Sequence, residues 1–329
     1  MNLLFYLLVF LLVLIVSSTT NKLLPFLPMP LIQILLGIGI GLCLPNNQYH
    51  LDTELFLALV IGPLLFREAQ EADITSILKH WRIVLFLIFP VIFISALSMG
   101  GVAHVLWATL PLAACVAVGA ALGPTDLVAF ASLSQRFSFP KRVSNILKGE
   151  GLLNDASGLV AFRMALIAWT TGTFSLTQAG TSLAISIVGG FAVGFITALI
   201  NRFLHTFLLS VRATDIASEL LLELSLPLLT FFIAEEIHVS GIIAVVVAGI
   251  LKASRFKKIN LLEAQVDTVT ETVWRTVTFM LNGSVFVILG MELEMIAEPI
   301  LKSAFYNKVL LLLSVFLLTF LLFAIRFVM

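Results

Sequence analysis

Charge is scarce in this 329-residue chain: 12% of its residues are Asp, Glu, Lys or Arg, and 60% are hydrophobic. Soluble domains carry about a quarter charged residues and about half apolar ones, so a soluble globular fold is excluded. With a mean hydropathy of +1.11, the chain reads as an all-α polytopic membrane protein. Cysteine is nearly absent. Cys43 and Cys115 both lie in apolar runs without metal-ligand spacing, which leaves no disulfide framework and reads both as small hydrophobic side chains. The apolar run from Leu3 to Val16 lacks a basic flank and an Ala-x-Ala cleavage signal, so it is expected to be a retained first helix. Nothing points to a cofactor, and a formal net charge of +0 gives no reason to expect nucleic acid as a partner.

What is present is a succession of apolar stretches near the roughly 17 to 25 residues that cross a bilayer. They predict about eleven transmembrane helices, near 3–17, 25–45, 53–67, 83–99, 104–132, 144–170, 180–203, 216–236, 239–252, 274–291 and 307–329. The polar stretch from Lys252 to Glu271 is expected to hold an amphipathic helix between two of these spans. Basic residues accumulate on the cytoplasmic side of a membrane. Lys22, then Arg67, Lys79 and Arg82, then Arg136, Lys141, Arg142 and Lys148, then Arg202 and Arg212, then Lys252, Arg255, Lys257, Lys258 and Arg275 all fall on one side. Those are fifteen of the 19 basic residues. The first helix therefore starts outside, in the cytoplasmic (inner) membrane of the cell. Gly37 and Gly41, and Gly190 and Gly194, are spaced four apart on one helix face with Gly39 and Gly189 beside them, which suits close helix packing.

Two acidic interruptions break this apolar background. A carboxylate at membrane depth costs from about 3 to more than 10 kcal/mol, so its presence points to an ion or proton pathway. In Gly123-Pro124-Thr125-Asp126, proline removes a backbone donor and glycine accepts unusual dihedrals, so the fifth helix should break midway across the bilayer. Such a break frees carbonyls and half-helix ends that can hold an ion, and Thr125 and Asp126 add oxygen ligands of the type that suits an alkali cation. Asp126 would equally cap the second half-helix. On the next helix, Gly151, Asn154, Asp155 and Gly158 fall at i, i+3, i+4 and i+7, which gathers two glycines and two polar groups on one face. Burial raises the pKa of a carboxylate and a bound cation lowers it, so proton and cation would compete for Asp155. Glu150 and Arg326 both lie toward the cytoplasmic side; an ion pair between them would offset the burial of each, while a snorkelling Arg326 is the other reading.

These residues also carry a family likeness. Pro124-Thr125-Asp126-Leu127-Val128-Ala129, followed by Gly149-Glu150-Gly151-Leu152-Leu153-Asn154-Asp155-Ala156-Ser157-Gly158, resembles the bacterial Na+/H+ exchanger branch of the monovalent cation:proton antiporters. Pro63-Leu64-Leu65-Phe66 with Glu68, Ala234-Glu235 leading into Val239-Ser240-Gly241, and Leu281-Asn282-Gly283 leading into Leu289-Gly290-Met291 extend the likeness over nearly the whole chain. The resemblance implies an inverted-repeat fold and a homodimer in the lipid bilayer that exchanges Na+ or a similar monovalent cation for H+. Asp155 would be the shared carboxylate. Asp126 and Thr125 would be ligands, with Na+ held at Asp126 and Asp155, and Glu150 would pair with Arg326. Asn154 in place of a second Asp resembles the electroneutral members, and Glu68 matches an accessory acidic position. Gly151 stands where the family usually has serine, so one side-chain ligand is missing.

The same resemblance divides the chain into scaffold and dimerisation helices (1–80), ion-transport core helices (81–170), a linking helix (171–205), a second scaffold group (206–305) and the start of a second core repeat (306–329). On the family's pattern, two further core helices would follow Arg326. The chain is therefore expected to hold an incomplete second repeat, and a truncated, non-transporting remnant is the alternative to an active antiporter. Proton-coupled solute symport lacks a cluster of substrate-recognising polar residues. An intramembrane aspartyl protease would need Gly-x-Gly-Asp and Tyr-Asp, where this chain reads Gly123-Pro124-Thr125-Asp126 and Asn154-Asp155. A secondary transporter, not an enzyme, is the reading that remains.

Overall fold

The computed structural model describes residues 3–43, 52–72, 79, 81–125, 139–172, 176–211, 215–253, 261–302 and 308–328. Among them every regular element is a helix: α1 (Leu3–Leu23), α2 (Met29–Cys43), α3 (53–71), α4 (81–106), α5 (Leu112–Leu122), α6 (Lys141–Thr171), α7 (Leu176–Ser210), α8 (Ile216–Glu236), α9 (Gly241–Ala253), α10 (Leu261–Lys302) and α11 (Lys308–Val328). Among the described residues, four stretches, in α7, α8, α10 and α11, are long and apolar enough to cross a membrane by themselves. The 15 residues of α2 and 13 of α9 rise about 1.5 Å each and fall short of a hydrocarbon core about 30 Å thick.

Prolines set the irregularities. In α3 the π-helical turn Leu57–Ile61 directly precedes Gly62 and Pro63, and in α4 the π-helical turn Leu87–Val91 contains Pro90. Proline has no N–H and crowds the carbonyl four residues earlier; a wider turn relieves that crowding without ending the helix.

Two helix boundaries differ from the sequence expectation. A break between 99 and 104 does not occur, because α4 runs through Gly100 and Gly101 to Leu106. Gly100 instead gives close approach to α5, where an added Cβ would sit 2.6 Å from the Cα of Val116. The turn falls at Trp107–Pro111, and Pro111 introduces α5. Of the stretch 252–271, where a separate helix is expected, residues 254–260 lie outside the described residues, and from Leu261 onward it is the first part of the 42-residue α10.

Packing sorts the helices into two groups. One contains α4, α5, α6 and α11, with Met99, Ala103, Cys115 and Leu318 in its buried core. The other contains α3 and α7 to α10, around Phe66, Phe231, Val245, Val246 and Trp274, with α2 laid along α10 and α1 against α2. Glycines make the closest contacts. Gly37 on α2 meets Gly290 on α10, and Gly190 and Gly194 on α7 meet the Ser240 and Ala244 carbonyls beside and within α9. In lipid, where apolar burial drives little association, such close backbone approach is a main source of helix adhesion.

Candidate polar site at the interruption of helix α5

Helix α5 ends at Leu122, and Gly123-Pro124-Thr125 leaves helical hydrogen bonding. A helix end frees carbonyls that must find partners when buried. Here two side chains from other helices supply them. Arg326 of α11 donates from Nη2 to the Gly123 carbonyl at 2.7 Å, and Asn154 of α6 donates from Nδ2 to the Thr125 carbonyl at 3.3 Å. The Asn154 amide also donates to Thr125 Oγ1 at 2.6 Å, and that hydroxyl donates to Glu150 Oε1 at 3.3 Å. Glu150, only 1% exposed, receives Arg326 Nη1 on the same oxygen. The result is one directional chain, Asn154 to Thr125 to Glu150, closed by a guanidinium.

Gly158, one turn beyond Asn154, allows this approach: a Cβ there would run into the Pro124 ring. Asn154 is fully buried, and its Oδ1 has no hydrogen-bond partner among the described residues. An acceptor left open in a buried site is costly unless something cationic or protic meets it. Glu150 and Arg326 cancel each other's charge, so the pair gives the site no net charge of its own.

The structure thus brings Thr125, Asn154, Glu150, Arg326, Gly123 and Pro124 together. Asp126 lies outside the described residues. Asp155 is described only as a backbone position of α6, next to Asn154 on the turn that faces Thr125. Glu68 sits half-buried on α3, a helix packed mainly on α9 and α8.

A second polar assembly was missed at the sequence level. Glu223 Oε1 accepts from Gln70 Nε2 of α3 at 3.1 Å and from the Trp274 indole of α10 at 3.2 Å, while Lys252 of α9 stands 3.7 Å from Oε2. Arg67 reaches Glu71 at 2.7 Å, pairs with Glu271 and lies over the Trp274 ring. Polar residues four apart in apolar helices, Glu219 with Glu223 and Asn201 with His205, were the available signal.

Comparison with known proteins gives the chain's family and fold. A sodium/hydrogen exchanger transmembrane family model matches residues 7–329. The chain is 35% identical over 328 residues to a sodium, potassium, lithium and rubidium/H(+) antiporter of Bacillus subtilis strain 168, covering 99% of the chain and 49% of that protein. To the Bacillus pumilus antiporter of the same description it is 34% identical over 311 residues, covering 94% of the chain and 46% of that protein. The chain thus spans about half the length of these curated relatives. The sodium proton antiporter MjNhaP1 of Methanocaldococcus jannaschii, solved at pH 8, superposes with a TM-score of 0.65 at 19% identity, covering 88% of this chain and 71% of that one. That likeness shows a shared fold.

Proposed function

We propose, from the premise that the chain belongs to the sodium/hydrogen exchanger family, that it exchanges a monovalent cation, Na+ first, for H+ across the cytoplasmic membrane. The reading is carried by the interruption of α5: freed carbonyls, the Thr125 hydroxyl and an unanswered Asn154 carboxamide oxygen meet where Asp155 follows on α6 and Asp126 follows in sequence. Oxygen-only ligation suits an alkali cation, and half-helix ends near mid-membrane are a transporter's way of holding one.

In this mechanism Asp155 binds either the cation or the proton. Asp126 and Thr125 contribute oxygen ligands, and Asn154 holds Thr125 in place through its hydroxyl and its carbonyl. Glu150 and Arg326 hold the end of α5 through Thr125 and the Gly123 carbonyl and leave the net negative charge to Asp155 and Asp126. With one carboxylate shared by two cargoes, loading one requires release of the other, and exchange follows. The α4–α6 and α11 group is the moving core, and α1–α3 with α8–α10 form the scaffold, joined through α7. The exposed apolar faces of α1 (Leu12, Ile15) and α11 (Phe316, Phe320, Phe323) suit lipid and a homodimer contact.

Proteoliposomes with a preset pH gradient test this reading. Added Na+, and in parallel Li+ and K+, should collapse the gradient in the wild-type chain, and Asp155→Asn should abolish the response while leaving the protein folded in detergent. A wild-type chain that dissipates no gradient with any of the three cations overturns the proposal.

A further inference from the structure

Four side chains of the second helix group close into a circuit. Gln70 of α3 donates from Nε2 to Glu223 Oε1 of α8 at 3.1 Å, and the Trp274 indole of α10 donates to the same oxygen at 3.2 Å. Arg67, three residues before Gln70, donates from Nη1 to the Gln70 side-chain oxygen at 3.3 Å and lies over the Trp274 ring, its guanidinium carbon 6.0 Å from the centroid. Arg67 thereby orients the Gln70 carboxamide, oxygen toward the guanidinium and N–H toward Glu223, and the circuit closes through the aromatic face. A carboxylate among apolar helices is costly unless donors meet it. Gln70 and Trp274 meet Oε1 of this one, and Lys252 of α9 stands 3.7 Å from Oε2.

Trp274 belongs to two environments at once. Its N–H joins the circuit, while its fully buried ring meets the Phe66 ring with 6.0 Å between centroids. Along α3, Phe66 and Ala69 enter the apolar cluster and Arg67 and Gln70 enter the circuit. Against α9, the Phe66 carbonyl is so close that a Cβ on Gly249 would lie 2.6 Å from it. The cluster built on Phe66 and Trp274 is also the surface against which Leu159 of α6 packs, where α6 meets α3 and α9. We propose that Gln70, Glu223 and Trp274 are positioning residues for exchange, which hold Phe66 and its cluster as a fixed platform on which α6 moves.

The circuit is bonded separately from the polar site on α5. Among the described residues, its hydrogen bonds and ion pairs run between its own members and to Lys252, Glu71 and Glu271, and none runs to Thr125, Asn154, Glu150 or Arg326. Opening it therefore removes no bond from the groups that hold the cation. It loosens the layer behind the contact instead, and a close-packed interior passes that loss of support to the next layer. Cation affinity should stay and turnover should fall. This consequence for transport rests on the antiport reading; the platform itself rests on the circuit.

The test reconstitutes the full chain in liposomes with Trp81→Phe, Trp107→Phe and Trp169→Phe, so that Trp274 alone remains of the 4 tryptophans. In this parent, Gln70→Ala and Glu223→Gln open the circuit, and Glu71→Gln removes an exposed partner of Arg67 that lies outside it. Cation-driven proton flux is read against Na+ concentration, per monodisperse protein, and Trp274 fluorescence anisotropy is read on the same vesicles. In Gln70→Ala and Glu223→Gln the maximal rate should fall several-fold at an unchanged half-maximal Na+ concentration, and the anisotropy should drop. Glu71→Gln should match the parent in both. Parent-like flux in Gln70→Ala and Glu223→Gln, a shifted half-maximal Na+ concentration, or an equal fall in Glu71→Gln overturns the proposal. So does a rate that falls while Trp274 stays as immobile as in the parent. Anisotropy that drops as expected without cation-driven flux from any chain, the parent included, would keep the platform and sink the antiport reading.

Discussion

Glu150 at 1% exposure carries the severest electrostatic demand in the described chain, and Arg326 is what answers it. Removing one partner of a buried pair costs about 3–5 kcal/mol because the other charge is left uncompensated. Arg326→Ala also strips the Gly123 carbonyl of its donor, so it should lower the thermal unfolding midpoint in detergent more than Glu150→Gln does. A Glu150→Gln/Arg326→Met double variant should recover part of the loss, since no lone charge remains; a double variant less stable than Arg326→Ala would refute this account. The site residues were legible in sequence to the extent that they sat in a local pattern. Pro124 marked the interruption, and the i, i+3, i+7 spacing of Gly151, Asn154 and Gly158 marked the face that meets it. The spacing that marked Glu223 and His205 as polar positions did not show their partners, Gln70, Trp274, Lys252 and Glu219, because these lie on other helices. Neighbouring helices are chosen by packing, which a single sequence does not state.

At the level of the helix, apolar length located every described element, while its ends followed chemistry that hydropathy does not register. Gly100-Gly101 looked like a boundary, yet the helix runs through both and Gly100 is a packing surface; Trp107–Pro111 looked apolar and is the turn. The small-residue stripe on α2 was read as a contact face, and the structure resolves it position by position. A Cβ on Gly37 would collide with the Val287 carbonyl of α10, whereas one on Gly39 meets nothing within 4 Å. Overpacking a tight contact costs typically about 1–3 kcal/mol, and alanine at an open helical glycine gains up to about 1 kcal/mol. Gly37→Ala should therefore lower the unfolding midpoint, and Gly39→Ala should leave it unchanged or raise it. Equal effects at the two positions, measured side by side in the same detergent, would refute the assignment of α2's buried face.

Across the whole molecule, the closest packing lies within each of the two helix groups rather than between them. Helix α6 joins the groups by a modest contact with α9 and α3, where Leu159 packs against the cluster that contains Phe66, Ile242 and Val245. A modest apolar contact between two well-packed bodies is a surface that can slide, since few specific bonds break when it shifts. That grouping could not be derived from hydropathy, which treats the spans alike. If exchange requires the groups to move past one another, pinning this contact should stop it. Cysteines replacing Leu159 on α6 and Ile242 on α9, joined by a short bifunctional thiol reagent with a cleavable disulfide, should abolish cation-driven proton flux, and reduction should restore it. Each single cysteine treated alike should transport normally. Undiminished flux through a fully cross-linked chain would mean that the two groups work as one rigid body, and that access to Asp155 alternates by movements confined to the neighbourhood of the interrupted helix.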